Sequence, residues 1–188
     1  VAALSSVNNV IKKWKGAVQP AKIGWTQDRV TGDNYVIQSN TFETGWTTGR
    51  STITEDSLTL GGQSFSLHLD DDSGTGAVTL GRNLFSLPLS RVFTISVDLF
   101  PGTSVWARLR MDALGGQDIQ ADFDLSGDGA IGTAAVGADN LGQKIVLNSN
   151  GSYRCSVSFL SDSVDAVGQF LIYQADGDGD ITVLADGT

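Results

Sequence analysis

The 188-residue sequence predicts an all-β protein, an antiparallel β-sandwich or jelly roll, on three observations. Four stretches between Val92 and Phe159 alternate apolar and polar residues with a period of two. Short turns rich in Gly, Asp and Asn separate nearly all the apolar runs, and 23 glycines stand against only three prolines. No helical period runs through residues 34–188. Side chains on a strand point alternately to opposite faces, so each alternating stretch reads as a strand with one buried face. Many such strands joined by tight turns make a sandwich or jelly roll the natural closure.

The elements follow in chain order. Residues 1–33 form a basic N-terminal arm, distinct from the sandwich domain at 34–188. Within the arm, Leu4, Val7, Ile11, Trp14 and Val18 recur at spacings of three and four, with Ser5 or Ser6 available as an N-cap. Gly16 and Pro20 end this seam after about two heptads, and a lone helix that short is marginal in water. It therefore needs a surface to lie on: its own sandwich, sister chains or a larger assembly. Residues 20–33 read as an extended connector turning at Thr31-Gly32-Asp33.

Strands are then expected near Tyr35–Ser39, Thr52–Thr54, Ser57–Leu60, Ser64–Leu69 and Ala77–Leu80. In Val92–Phe100, Phe93, Ile95, Val97 and Leu99 oppose Thr94, Ser96 and Asp98. Val105–Met111 sets Val105, Ala107, Leu109 and Met111 against Trp106, Arg108 and Arg110. Ile119–Leu125 sets Ile119, Ala121, Phe123 and Leu125 against Gln120, Asp122 and Asp124. After Lys144–Asn148, Tyr153–Phe159 puts Tyr153, Cys155, Val157 and Phe159 against Arg154, Ser156 and Ser158. Gln169–Gln174 is apolar on both faces through Phe170, Leu171, Ile172 and Tyr173, as a central strand covered on both sides would be. Ile181–Leu184 is the last expected strand.

Composition narrows the function classes. One cysteine rules out an intrachain disulfide, and one histidine rules out a His-rich metal site. Cys155 occupies an inward position and reads as a small buried hydrophobe. The net charge of −9 is uneven. Lys12, Lys13, Lys15, Lys22 and Arg29 against Asp28 give residues 1–30 a net +4, leaving −13 for the remainder. A body this acidic is repelled by nucleic acid and by anionic membranes. No apolar run approaches the ~20 residues of a membrane span, and no secretory leader pattern is visible. Neither nucleic-acid binding nor membrane insertion is expected.

Catalysis finds little support. His68 is the only imidazole, and no nucleophile elbow, phosphate loop or zinc-protease motif occurs. Asp98, Asp122 and Asp124 lie on polar strand faces, where solvated carboxylates are common, so the expectation is a non-enzyme. A glycan site has better material. Trp106, Arg108 and Arg110 share one strand face, and Gln120, Asp122 and Asp124 line the corresponding face of the next strand. An aromatic ring stacked on a sugar and flanked by polar groups is how saccharides are held. Arg154 adds a forked donor suited to acidic sugars. The competing reading packs Trp106 against a loop or a sister subunit and pairs the arginines with the aspartates opposite. Asp176, Asp178 and Asp180 alternate with glycines as a calcium-loop candidate, although the spacing is not that of an EF-hand and no cofactor is required.

The stretches Asn34–Phe42 with Trp46, Phe93–Leu99 with Trp106–Arg110, and Phe123–Gly127 with Gly151–Phe159 resemble a module common in bacteriophage virion proteins. That module is related to the carbohydrate-binding jelly rolls of polysaccharide-degrading enzymes. The resemblance spans Asn34 to about Tyr173. It implies a non-enzymatic virion component of tail-fibre type, displaying the sandwich for attachment to host-surface glycans. It also implies location on the particle surface, contacts with other virion proteins through Leu4, Val7, Ile11 and Trp14, and a homo-oligomer, a trimer being favoured. The alternatives are a head decoration protein that binds no glycan and a carbohydrate-binding module of an enzyme. Two departures stand out. The family's closing strand is not found before Thr188, so the sandwich is expected to lack its last strand unless the chain continues or a neighbour supplies it. Ser152 also replaces the aromatic expected before Tyr153.

Overall fold

A computed structural model describes residues 46–60, 63–71, 75–114, 117–133, 139–164 and 167–183. The arm with Leu4, Val7, Ile11 and Trp14, and the expected strand Tyr35–Ser39, lie outside the described residues. The described part is all-β and antiparallel, and contains no helix. Its eleven strands are β1 (Trp46–Gly49), β2 (Ser51–Leu60), β3 (Gln63–Asp71), β4 (Thr79–Ser86), β5 (Val92–Leu99), β6 (Trp106–Leu114), β7 (Gln117–Asp124), β8 (Ala130–Ile131), β9 (Asn140–Leu147), β10 (Tyr153–Leu160) and β11 (Val167–Ala175).

Six strands make one sheet in the order β1-β4-β11-β6-β7-β8, three make a second in the order β5-β10-β9, and β2 pairs with β3. Alternation decides which side of each sheet is buried. The larger sheet turns inward Ala107, Leu109 and Met111 of β6, Ile119, Ala121 and Phe123 of β7, and Phe170 and Ile172 of β11, all buried. The smaller sheet contributes Ile95 from β5 and Tyr153, Cys155, Val157 and Phe159 from β10. The result is sandwich-like. Phe93 packs on Phe159 across β5 and β10 with ring centroids 6.1 Å apart, and Trp46 meets Phe170 edge-on at 6.3 Å. Tyr153 ties the two sheets together, its hydroxyl donating to the carbonyl of Gly127 in the loop after β7 (2.8 Å).

β11 lies between β4 and β6, and Phe170, Leu171, Ile172 and Tyr173 are all buried, as an apolar run on both faces requires. Elsewhere the expected boundaries move for identifiable reasons. The two short strands around residues 52–60 are one strand, β2, whose register shifts between Asp56 and Thr59 and so breaks the alternation. The strand expected at Ala77–Leu80 instead starts at Thr79 and runs on through Gly81. A Cβ at Gly81 would come within 2.7 Å of the Leu171 side chain, so the glycine is what lets β11 approach. Ile181–Leu184 does not form a strand over its described residues. Val183 makes a single bridge to Gly76, with both backbone bonds at 3.1 Å.

Candidate functional site

Trp106, Arg108 and Arg110 stand on the outer face of the larger sheet. The β6–β7 register sets Trp106 opposite Asp124, Arg108 opposite Asp122 and Arg110 opposite Gln120. Five of the six expected glycan-face residues, Trp106, Arg108, Arg110, Gln120 and Asp122, therefore share this face. β11 extends it with Tyr173 opposite Arg108 and Leu171 opposite Arg110. Trp106, Arg110 and Gln120 are half-buried.

At its centre is an ion pair. Arg108 Nε donates to Asp122 Oδ1 at 2.6 Å and Nη2 donates to Oδ2 at 2.9 Å, a two-pronged cross-strand contact. Arg108 is 7% exposed and Asp122 only 2%. The hydrogen bonds that Arg108 donates to Asp122 raise its pKa above the ordinary value, and burial opposes that shift without cancelling it.

The pair is covered by the strap that leaves β11. From Ala175 the chain turns through Asp176–Asp180, where Asp176 N donates to the Asp180 carbonyl (3.0 Å), and is tied down again at Val183. Gly179 N donates to Asp122 Oδ2 at 2.9 Å. Asp178 reaches to the residues after β8, where its carboxylate accepts from Thr133 N (2.6 Å) and Thr133 Oγ1 (2.7 Å). Gly132 makes this approach feasible. A Cβ there would lie 2.5 Å from Asp178 Oδ1 and 2.8 Å from Trp106 Cζ3. Alternation could not reveal Gly132, Thr133 or Gly179, because none sits in a regular strand of appreciable length. The legible signal was a glycine following the apolar pair Ala130-Ile131.

Arg154 does not join this group. It lies on β10 in the smaller sheet, and the register pairs it with Asp98 on the outer face there. Its Nε donates to Asp98 Oδ1 at 2.5 Å and its Nη2 to Asp98 Oδ2, which raises the Arg154 pKa. Asn148 Nδ2 also donates to Asp98 Oδ1 (3.1 Å) and to Ser152 Oγ (2.9 Å). Ser152 is fully buried in this network, where an aromatic side chain would not fit without rearrangement.

Two of the calcium-loop candidates have local hydrogen-bond donors. Asp178 is engaged by Thr133, and Asp180 Oδ1 accepts from Thr182 N (2.8 Å). Among the described residues, no group of three or more His, Cys, Asp or Glu side chains is placed to hold a metal ion. His68 lies on β3 opposite Thr54, away from the Arg108–Asp122 pair in sequence and in sheet. Cys155 is fully buried, and burial pushes its thiol up to about 12.

The sequence matches no protein-family model and no curated protein. No helix among the described residues is long and apolar enough to cross a membrane.

Proposed function

We propose that this chain is a non-enzymatic structural protein of a bacteriophage particle, of jelly-roll type. Residues 1–33 anchor it, and the Trp106 face of its sandwich meets host-surface glycans. The observation that carries the reading is the buried Arg108–Asp122 pair standing beside Trp106 on one sheet face. Two charges taken out of water contribute little to stability compared with apolar residues of the same volume. Recognition of hydroxylated rings gives such a pair, with an aromatic neighbour, a reason to be there. In this reading Leu4, Val7, Ile11 and Trp14 dock on sister chains, a trimer being favoured, or on other virion proteins.

The reading of a head decoration protein without glycan binding draws on a different observation. Both carboxylate oxygens of Asp122 already accept from within the chain, Oδ1 from Arg108 Nε and Oδ2 from Arg108 Nη2 and Gly179 N. Both readings place the arm in the assembly. Deleting residues 1–33 should leave a folded, soluble domain that no longer enters particles, as followed by mass spectrometry of purified virions. A truncated chain incorporated at the normal level would overturn the proposal.

A further inference from the structure

The geometry points to the Asp176–Val183 strap being a lid on the Trp106 face, latched by the Asp178 carboxylate; the inference rests on the sugar-face reading above. Three features distinguish a latch from ordinary packing. First, the strap is fixed at both ends and lightly held between them. Ala175 is fully buried and Val183 nearly so, whereas Asp176, Asp178, Gly179 and Asp180 are exposed. A Cβ added at Gly177 or Gly179 would meet nothing within 4 Å among the described residues, so these two positions of the tip face open space. Second, what holds the tip is polar and concentrated. Both bonds to Thr133 run through the one carboxylate of Asp178, in solvent, and a single amide, Gly179 N, rests on Asp122. Water competes for exposed hydrogen bonds, which makes such a hold easy to open.

Third, the groups beneath are already arranged for a ligand. The Gly179 amide donates to the Asp122 oxygen that a sugar hydroxyl would donate to. Lifting the tip leaves Asp122 Oδ2 with Arg108 Nη2 as its remaining donor, opening one acceptor position, and withdraws Asp178 from beside the Trp106 ring, where only the absence of a side chain at Gly132 admits it. The strap thus occupies in cis the position that a hydroxylated ring would take, and a ligand must displace it. Binding is weakened by the fraction of time that the lid is shut, and removing the latch lifts that penalty.

The test uses the full chain and two substitutions. Asp178→Ala removes both bonds to Thr133, while Asp178→Asn keeps an acceptor for the Thr133 amide. Hydrogen exchange read by mass spectrometry should show peptides over 176–183 exchanging about tenfold faster in Asp178→Ala, with β10 peptides unchanged and Asp178→Asn near the parent. On an array of bacterial surface polysaccharides, Asp178→Ala should bind about threefold or more above the parent, and adding Trp106→Ala should abolish the signal. Unchanged strap exchange in Asp178→Ala would overturn the latch whatever the array reports. Faster exchange with parent-level binding would overturn the lid and leave the sugar face standing. Faster exchange with no binding by any variant would overturn the sugar face, and the gating with it.

Discussion

Replacing Asp122 by Ala should be among the most damaging single changes in the larger sheet. The carboxylate is 2% exposed and accepts from Arg108 Nε, Arg108 Nη2 and Gly179 N. Truncation strands a guanidinium that is itself 7% exposed and leaves the strap amide without its acceptor. Breaking a buried pair from one side typically costs about 3–5 kcal/mol, mostly the penalty of the unpaired charge. In a chain of this size that corresponds to a fall in Tm of roughly 6–20 °C. The double replacement Arg108→Met with Asp122→Leu removes both charges at similar volume and should come back to within about 1–2 kcal/mol of the parent. Urea unfolding of the parent, Asp122→Ala and the double replacement, followed by tryptophan fluorescence and circular dichroism, measures both quantities. If Asp122→Ala alone costs less than about 1 kcal/mol, the pair is neither buried nor coupled as described, and the reasoning fails.

Other expectations follow from the same geometry. Phe159→Ala empties a fully buried position and should cost about 3–5 kcal/mol, whereas Val164→Ala, at a residue 85% exposed, should stay within about 0.5 kcal/mol by chemical denaturation. The Cys155 thiol, raised by burial to about 12, should resist Ellman's reagent at pH 8 in the native protein and react promptly in urea. The unfolded thiol loses its proton first, so its contribution to stability is complete below the ordinary cysteine pKa of 9.0 and is lost as pH rises towards about 12, a decline readable in alkaline melting curves. Gly129 has φ of +81° and lies against Ile145 and Tyr153, so Gly129→Ala should cost at least about 1–2 kcal/mol by the same urea assay. Arg154→Ala breaks a pair whose side chains are 38% and 32% exposed and should cost no more than about 1 kcal/mol.

Where alternation was unbroken, the sequence carried the fold closely. β5 and β10 lie within a residue of the stretches that periodicity marked, and β11 is buried on both faces as its composition required. Where the chain departs from a flat ladder, periodicity lost it. The register shift in β2 split one strand into two, Gly81 hid the continuation of β4, and β1 and β8 are too short to show a period. The site divides in the same way. Facing positions on one hairpin brought Trp106, Arg108 and Arg110 together with Gln120 and Asp122, because adjacent antiparallel strands must share faces. Arg154 went to the other sheet because alternation separates inside from outside and does not say which of two outer faces a residue joins. The acidic glycine-rich turn reads from composition as an ion-loop candidate, and composition does not name the donors its side chains meet. Asp178 accepts from the Thr133 hydroxyl and amide and Asp180 from the Thr182 amide, contacts that only the folded geometry reveals.

The most direct measurement is binding of the full chain and of Trp106→Ala to an array of bacterial surface polysaccharides, with and without a calcium chelator. The account predicts saturable binding by the parent to at least one glycan, loss of that signal in Trp106→Ala, and no effect of the chelator. A blank array from both well-folded proteins, or binding that Trp106→Ala leaves intact, would contradict it.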